Sequence, residues 1–157
     1  MESKDVRFRV GEETFRLRAA AVILEKGKLL VAKNQEYDAF YTIGGGIHLG
    51  ESAEEAAVRE AFEETGLHYQ IDRLLYIQER FFEHGGDRKH EIVFYYLMKE
   101  QTSGIPEGIP GDYPGEILYW LPLENLEQYN ILPGFLKTAL NSMPERVCHI
   151  VSREFPN

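Results

Sequence analysis

Glutamates at positions 60, 63 and 64 stand in the segment Gly45 to Leu67, GGIHLGESAEEAAVREAFEETGL. Spacings of three and four residues bring side chains onto one face of a helix. Glu60, Glu63 and Glu64 therefore crowd negative charge together, which is unfavourable unless something positive sits among them. Hard carboxylate oxygens suit a divalent cation such as Mg2+ or Mn2+. A cation held in this way can neutralise anionic oxygens and lower the pKa of a bound water. Arg59, four residues before Glu63, can pair with it, steering the carboxylates and limiting their repulsion. Glu54 and Glu55 read as the solvated acidic face of an ordinary amphipathic helix.

Positioning such a cluster requires a helix with defined ends. Ser52 followed by Glu55 is a capping box, so the helix should begin at Ala53. Gly66 is placed to end it. Val58, Ala61, Phe62 and Thr65 fall opposite the carboxylates, and that side is expected to pack on a sheet. Ala56 and Ala57 on the carboxylate side would leave room for a ligand. Gly44, Gly45 and Gly46 mark a loop in front of the helix.

Strands are expected at Val6 to Val10 and Thr14 to Leu24, around a Gly11-Glu12-Glu13 turn. Ala19 to Leu24 is apolar throughout, as in a strand buried on both faces. Leu29 to Lys33 reads as the return strand after a turn at residues 25–28, and Phe40 to Ile43 as a short strand entering the glycines. Arg73 to Phe82 and His90 to Lys99 form two more, with the turn at His84-Gly85-Gly86-Asp87. Gln101 to Gly115 is rich in Pro and Gly and has no periodicity, the mark of a functional or mobile loop. Glu116 to Leu121 is a short strand, Leu132 to Leu140 suits a helix, and Glu145 to Phe155 adds a last strand.

A length of 157 residues suits one domain, residues 1–157, with a substantial core. The net charge of -9 argues against a nucleic-acid polymer as partner, and no basic stripe offsets it. A nucleotide ligand stays open, because a bound metal reverses the local sign. Cys148 is the one cysteine, so no intrachain disulfide forms, and a reducing cytoplasm is the expected compartment. The start MESKDVRFRV is charged and lacks the apolar stretch of a signal peptide. No apolar run approaches membrane-spanning length.

Written out as spacing, the central segment is Gly45, five residues, Glu51, seven residues, Arg59-Glu60-Ala61, one residue, Glu63-Glu64, one residue, Gly66-Leu67. This resembles the Nudix box at every defined position. At average residue usage the chance of such a coincidence in a chain this long is on the order of 10⁻⁷. The likeness is densest over Phe40 to Leu67 and continues weakly to Trp120-Leu121-Pro122-Leu123. It implies an α/β fold, a Nudix-type α/β/α sandwich with a central mixed β-sheet. It implies that Glu60, Glu63 and Glu64 ligate metal, Mg2+ or Mn2+, while Glu51 and Arg59 orient them. Members of this family often draw a further ligand or base from the loop before a late strand. Here Glu116 matches, with Glu107 and Asp112 as rivals in the same loop. Glu91 is another carboxylate, but strand alternation can point it either way.

The catalytic residues expected from these readings are Glu60, Glu64, Arg59 and Glu116. Gly45, Gly46, Tyr41 and Lys33 are the candidates for touching substrate. Tyr37, Phe40, Phe81, Phe82 and Tyr95 join Tyr41 as aromatics that could stack a base, though core packing accounts for most strand aromatics. The sequence departs from the family pattern at Ile43, where proline is common, and at His48, where glutamate is common. His48 could touch substrate or respond to pH; a half-exposed loop histidine is the plainer reading. The reaction implied is hydrolysis of a diphosphate bond in a nucleoside diphosphate linked to another moiety, as in a nucleoside triphosphate or ADP-ribose. The substrate is then a small nucleotide-type molecule, with a homodimer as the default assembly. One alternative is a Nudix module that senses a nucleotide without cleaving it. Another is a prenyl diphosphate isomerase on the same fold, but Cys148 lies far along the chain from the box. Which nucleotide derivative is bound does not follow from the box, because its residues act on the diphosphate that all of them share.

Overall fold

A computed structural model describes residues 4–155. Met1 to Ser3, the start of the charged N-terminal stretch, lie outside the described residues, as do Pro156 and Asn157.

The chain opens with β1 (Arg7–Val10), β2 (Glu13–Val22), β3 (Leu24–Glu25), β4 (Lys28–Asn34) and β5 (Phe40–Gly46). The helix α1 (Ala53–Thr65) follows, then β6 (Ile71–His84), β7 (Asp87–Met98), β8 (Ile109–Pro110) and β9 (Glu116–Pro122). A 3-10 segment (Leu123–Gln128), β10 (Ile131–Leu132), the single-turn α2 (Leu136–Ala139) and β11 (Cys148–Glu154) complete it.

The strands form one mixed sheet in the order β11-β6-β7-β2-β5-β4-β9-β8. β2 runs parallel to β7, β11 runs parallel to β6, and the other pairs on this path are antiparallel. β5 is the seam. Its first half, residues 40–42, pairs with β4, and its second half, residues 43–46, pairs with β2. Alternation along β2 explains the two layers: Ala19, Ala21 and Ile23 face α1, while Ala20 and Val22 face the 3-10 segment and α2. The expected mixed-sheet sandwich is the observed architecture, with Leu126 and Leu136 filling the side opposite α1.

Ser52 caps α1 as expected. Its hydroxyl accepts from the Glu55 N–H at 3.1 Å, and the Glu55 carboxylate accepts from the Ser52 N–H at 2.8 Å. Gly66 ends the helix in the left-handed conformation, φ 76°.

Several expectations are corrected. The glycines 44–46 are not a loop but the end of β5. A side chain on Gly44 would collide with the Ala19 backbone, so glycine allows the tight pairing with β2. The helix also turns a different face inward, with Ala61 packed as expected but Phe62 left outside. Ala56, Ala57, Glu60, Ala61 and Glu64 are its buried residues, while Phe62 is 41% exposed and stacks on His68. Alanines let α1 approach the sheet closely, which favours burying that side over the bulkier Val58 and Phe62. The helix expected at Leu132 to Leu140 shrinks to one turn, because Leu132 is taken by β10, paired with Tyr41. In the long loop, β8 adds a short pairing with β9.

Candidate active site

Arg59 organises the site. It stands on the second turn of α1 and reaches back to the chain that precedes the helix. Its Nε donates to Glu51 at 2.8 Å, and one terminal nitrogen donates to the Gly46 carbonyl at 2.8 Å. The other terminal nitrogen donates to Glu60 at 2.8 Å and to Glu63 at 3.2 Å. One guanidinium thus staples β5, the connecting turn and the helix. The same contacts hold the Glu51 carboxyl below the usual carboxylate range, and Glu51 in turn accepts from the His48 N–H. The His48 ring lies 3.5 Å from Asp5.

Glu60 and Glu64 are buried beneath this staple, facing β5. A Cβ on Gly45 would strike the Glu60 carboxylate, so glycine lets that carboxylate lie where it does. Gly44 offers its N–H to Glu64 at 3.5 Å. Glu116, at the start of β9, is likewise buried and meets them from across the seam. Tyr41 on β5 donates its hydroxyl to Glu116 at 2.7 Å. Gly111 passes so close that a side chain there would hit the Glu116 carboxylate.

The electrostatics are those of an incomplete site. Burial pushes the Glu64 carboxyl well above its ordinary value, and the neighbouring Glu116 charge pushes the same way. Burial also raises Glu60, against the pull of Arg59. One oxygen each of Glu60, Glu64 and Glu116 is buried with no hydrogen-bond partner among the described residues. Buried carboxylate oxygens left unpaired cost several kcal/mol as a rule, of the order of ~2 or more each. Among the described residues no three acidic, imidazole or thiol groups stand at metal-ligand spacing around one point. The donor set nevertheless fits a hard divalent cation: all-oxygen, anionic, buried and unsatisfied. Glu63, at the exposed rim, can join it by releasing Arg59.

Glu64 and Glu116 border a cleft of about 430 Å³, open between the glycine strand and the β1–β2 hairpin. The expected residues Gly45, Gly46 and Tyr41 line it. Lys33 does not reach it: its ammonium lies 5.0 Å from the Phe40 ring centroid and 3.3 Å from Asp38. Alternation along β4 turns Lys33 away while its neighbour Asn34 faces the cleft. Among the aromatics, Tyr95 is core, bonded to Gln78, and Phe40 packs on Tyr119 and Tyr129. Of the rival carboxylates, Glu107 and Asp112 are exposed on the loop. Glu91 is fully buried among arginines.

Sequence reasoning passed over Arg7, Arg16, Arg18 and Tyr113, all of which line the cleft. The two-residue spacing of Arg16 and Arg18 on an expected strand was the available signal, since it puts both on one face. Tyr113 had none, because it reaches the cleft through the fold of an aperiodic loop.

Residues 14–139 match the NUDIX domain family. A diphosphoinositol polyphosphate phosphohydrolase of Homo sapiens is 38% identical over 89 residues, covering 54% of this chain and 47% of that protein. The RNA pyrophosphohydrolase of Hamiltonella defensa is 42% identical over 67 residues, 42% of this chain and 41% of that protein. The chain spans about half the length of the curated relatives it matches. Among solved structures, the MutT protein of Bacillus halodurans superposes with a TM-score of 0.69 over 88% of this chain and 90% of that chain, at 18% identity. A MutT Nudix hydrolase of Burkholderia pseudomallei gives 0.57 over 70% and 84%, at 25% identity.

Proposed function

This chain belongs to the Nudix family, and from that premise we propose that it is a metal-dependent pyrophosphohydrolase. The bond cleaved is a diphosphate in a small molecule of the type in which a nucleoside diphosphate is joined to another group. The observation that carries this reading is a trio of buried carboxylates, Glu60, Glu64 and Glu116, each with one oxygen unpartnered among the described residues, of which Glu64 and Glu116 line one cleft. The relatives' names, phosphohydrolase and pyrophosphohydrolase, favour the same class of bond.

Glu60, Glu63 and Glu64 would hold Mg2+ or Mn2+, with Glu116 alongside; bound there, the cation supplies phosphate neutralisation and acidifies a water. The chain's own residues do the rest. Arg59 sets the directions of Glu60 and Glu63 and ties both to the glycine strand. The strand at Gly45, stripped of a side chain, lets the Glu60 carboxylate lie against the backbone. Tyr41 fixes one oxygen of Glu116 and leaves the other free to accept the proton of the attacking water. Residues 1–157 act as one domain in this reading, on a small molecule rather than on a nucleic-acid polymer.

The test is phosphate or nucleotide release from a panel of diphosphate substrates, with and without Mg2+. Chelation should abolish turnover. Glu64→Gln and Glu60→Gln should each lower kcat about a hundredfold or more, the loss expected when a group acting in the transition state is removed. Their melting temperatures should not fall. Unchanged turnover would sink the mechanism, and tight nucleotide binding with no release would favour a sensing module instead.

A further inference from the structure

A charged row crosses four neighbouring strands. Arg80 on β6, Glu91 on β7, Arg16 on β2 and Arg7 on β1 stand opposite one another in register. Arg18, two residues beyond Arg16, points to the same side of the sheet. Its guanidinium lies 3.9 Å from Glu91. The row runs into the cleft, where Arg7, Arg16 and Arg18 face the wall that carries Gly44, Glu64 and Glu116. Arg18 is close enough to Glu60 to favour its charged form.

For stability alone this row is poorly arranged. Like charges directly opposite on paired strands repel, and Arg7 and Arg16 are such a pair. Burial pushes the Arg16 guanidinium below its ordinary value, Arg18 and Arg7 add to that, and Glu91 opposes it. Glu91 is fully buried and pairs with Arg16 through one oxygen, while its other oxygen receives no hydrogen bond from the described residues. Arg80 stands 3.8 Å from it and donates to Glu154 at 2.7 Å. One carboxylate therefore holds several guanidinium groups in place without neutralising them. Three guanidinium groups face the cleft with Asp5 as the acid beside them, so this side carries an excess of positive charge, in a chain whose net charge is -9. Guanidinium forks are suited to phosphate oxygens. In the hydrolase reading a cation held at the carboxylate wall would partner the scissile diphosphate, which would leave the arginine wall to another anion.

We propose that Arg7, Arg16 and Arg18 form a second anion subsite, which grips a phosphate of the substrate outside the scissile diphosphate. The proposal rests on the hydrolase reading for the bond cleaved and deepens it by naming the substrate class: a diphosphate that carries at least one further phosphate group. Glu91 and Arg80 are positioning residues, acting through Arg16. The extra phosphate has two chemical sources, monoesters on the group joined to the diphosphate or later members of a polyphosphate chain.

Steady-state kinetics on ADP-ribose, diadenosine pentaphosphate and 5-diphosphoinositol pentakisphosphate separate these sources. Arg16→Ala would strip Glu91 of its nearest partner, so Arg7→Ala and Arg18→Ala carry the test, with melting curves to show that both fold. Each should raise KM about tenfold or more for a substrate with the extra phosphate and much less for ADP-ribose, while any change in kcat should be the same for all three substrates. The larger KM effect falls on the diphosphoinositol if ring monoesters occupy the subsite, and on the dinucleotide if chain phosphates do. Lys28→Ala, which removes the same charge beside a separate hollow near Trp120, should change neither. Equal losses on all three substrates, or no loss on any, would overturn the proposal.

A binding measurement keeps this apart from catalysis. Inositol hexakisphosphate and inorganic tripolyphosphate, titrated calorimetrically into metal-free protein, probe the arginines directly. At least one should bind, about tenfold more weakly to Arg18→Ala, and more weakly as salt rises and screens the charges. No binding of either would refute the subsite. Binding by a protein that cleaves none of the substrates would uphold the subsite and count against the hydrolase reading alone.

Discussion

Glu64 shows what the site demands of a single residue. Its carboxyl is buried beside Glu116, and its pKa is raised above the ordinary 4.5. A group with a higher pKa folded than unfolded binds its proton more tightly in the folded state. Its stabilising effect is therefore complete below the unfolded value and is lost as pH rises through the folded one. The metal-free protein should melt at progressively lower temperature as pH rises from about 5 to about 8, and Glu64→Gln should flatten that slope. Mg2+ relieves the same charge crowding, so its stabilisation should be larger at the upper end of that range and smaller in Glu64→Gln. Melting curves with and without chelator check both statements; a slope unchanged by the substitution would remove Glu64 from this role. At this scale the sequence was informative where spacing was local. Arg59, Glu60, Glu63 and Glu64 lie within two turns of one helix, and helical geometry alone relates them. Lys33 misled because a lysine near a glycine strand resembles a phosphate ligand, whereas its strand face turns it onto Phe40 and Asp38.

Among the elements, the contact between β5 and α1 decides most. Gly45 lies against the Glu60 carboxylate with no room for a side chain. Gly45→Ala should displace that carboxylate, lowering kcat about tenfold or more, the scale on which small misplacements of a reacting group act. The melting temperature should change little, since the far end of a side chain can move aside. Ser52→Ala tests the other end of the same unit. It removes the capping hydroxyl at a cost of about 1 kcal/mol, which thermal melting should detect while KM stays put. The helix ends were legible because caps are local chemistry, as Ser52, Glu55 and Gly66 show. The buried face was not. A hydrophobicity count favours burying Phe62 and Val58, yet close approach favours Ala56, Ala57 and Ala61, and the glutamates between them are drawn in with the alanines.

Across the whole molecule, the sheet gathers groups that are distant in sequence. Glu91 stands among Arg16, Arg18 and Arg80, which come from β2 and β6. Glu91→Gln keeps the shape but removes that charge, and should destabilise the fold by about 3–5 kcal/mol, the cost of breaking a buried ion pair. A melting temperature within a degree or so of the parent protein's, against the several degrees such a loss implies, would show that the row is not held by Glu91. Within the described residues no helix is long and apolar enough to cross a membrane. The loop at residues 101–115 is anchored rather than free. Ser103 bonds to Glu25 at 2.6 Å, and the Trp120 indole donates to the Ile105 carbonyl at 2.8 Å. Tyr113 thereby reaches the cleft, and Tyr113→Ala should raise KM several-fold with kcat nearly unchanged, as loss of a binding contact does. The sequence by itself determined the helix, its caps, its row of carboxylates and the alternation of the strands, because each follows from spacings of a few residues. Only the tertiary structure decided that Glu116 meets Glu64, that the alanine face turns inward and that arginines line the opposite wall. Those outcomes depend on strand order and register, which pair residues tens of positions apart.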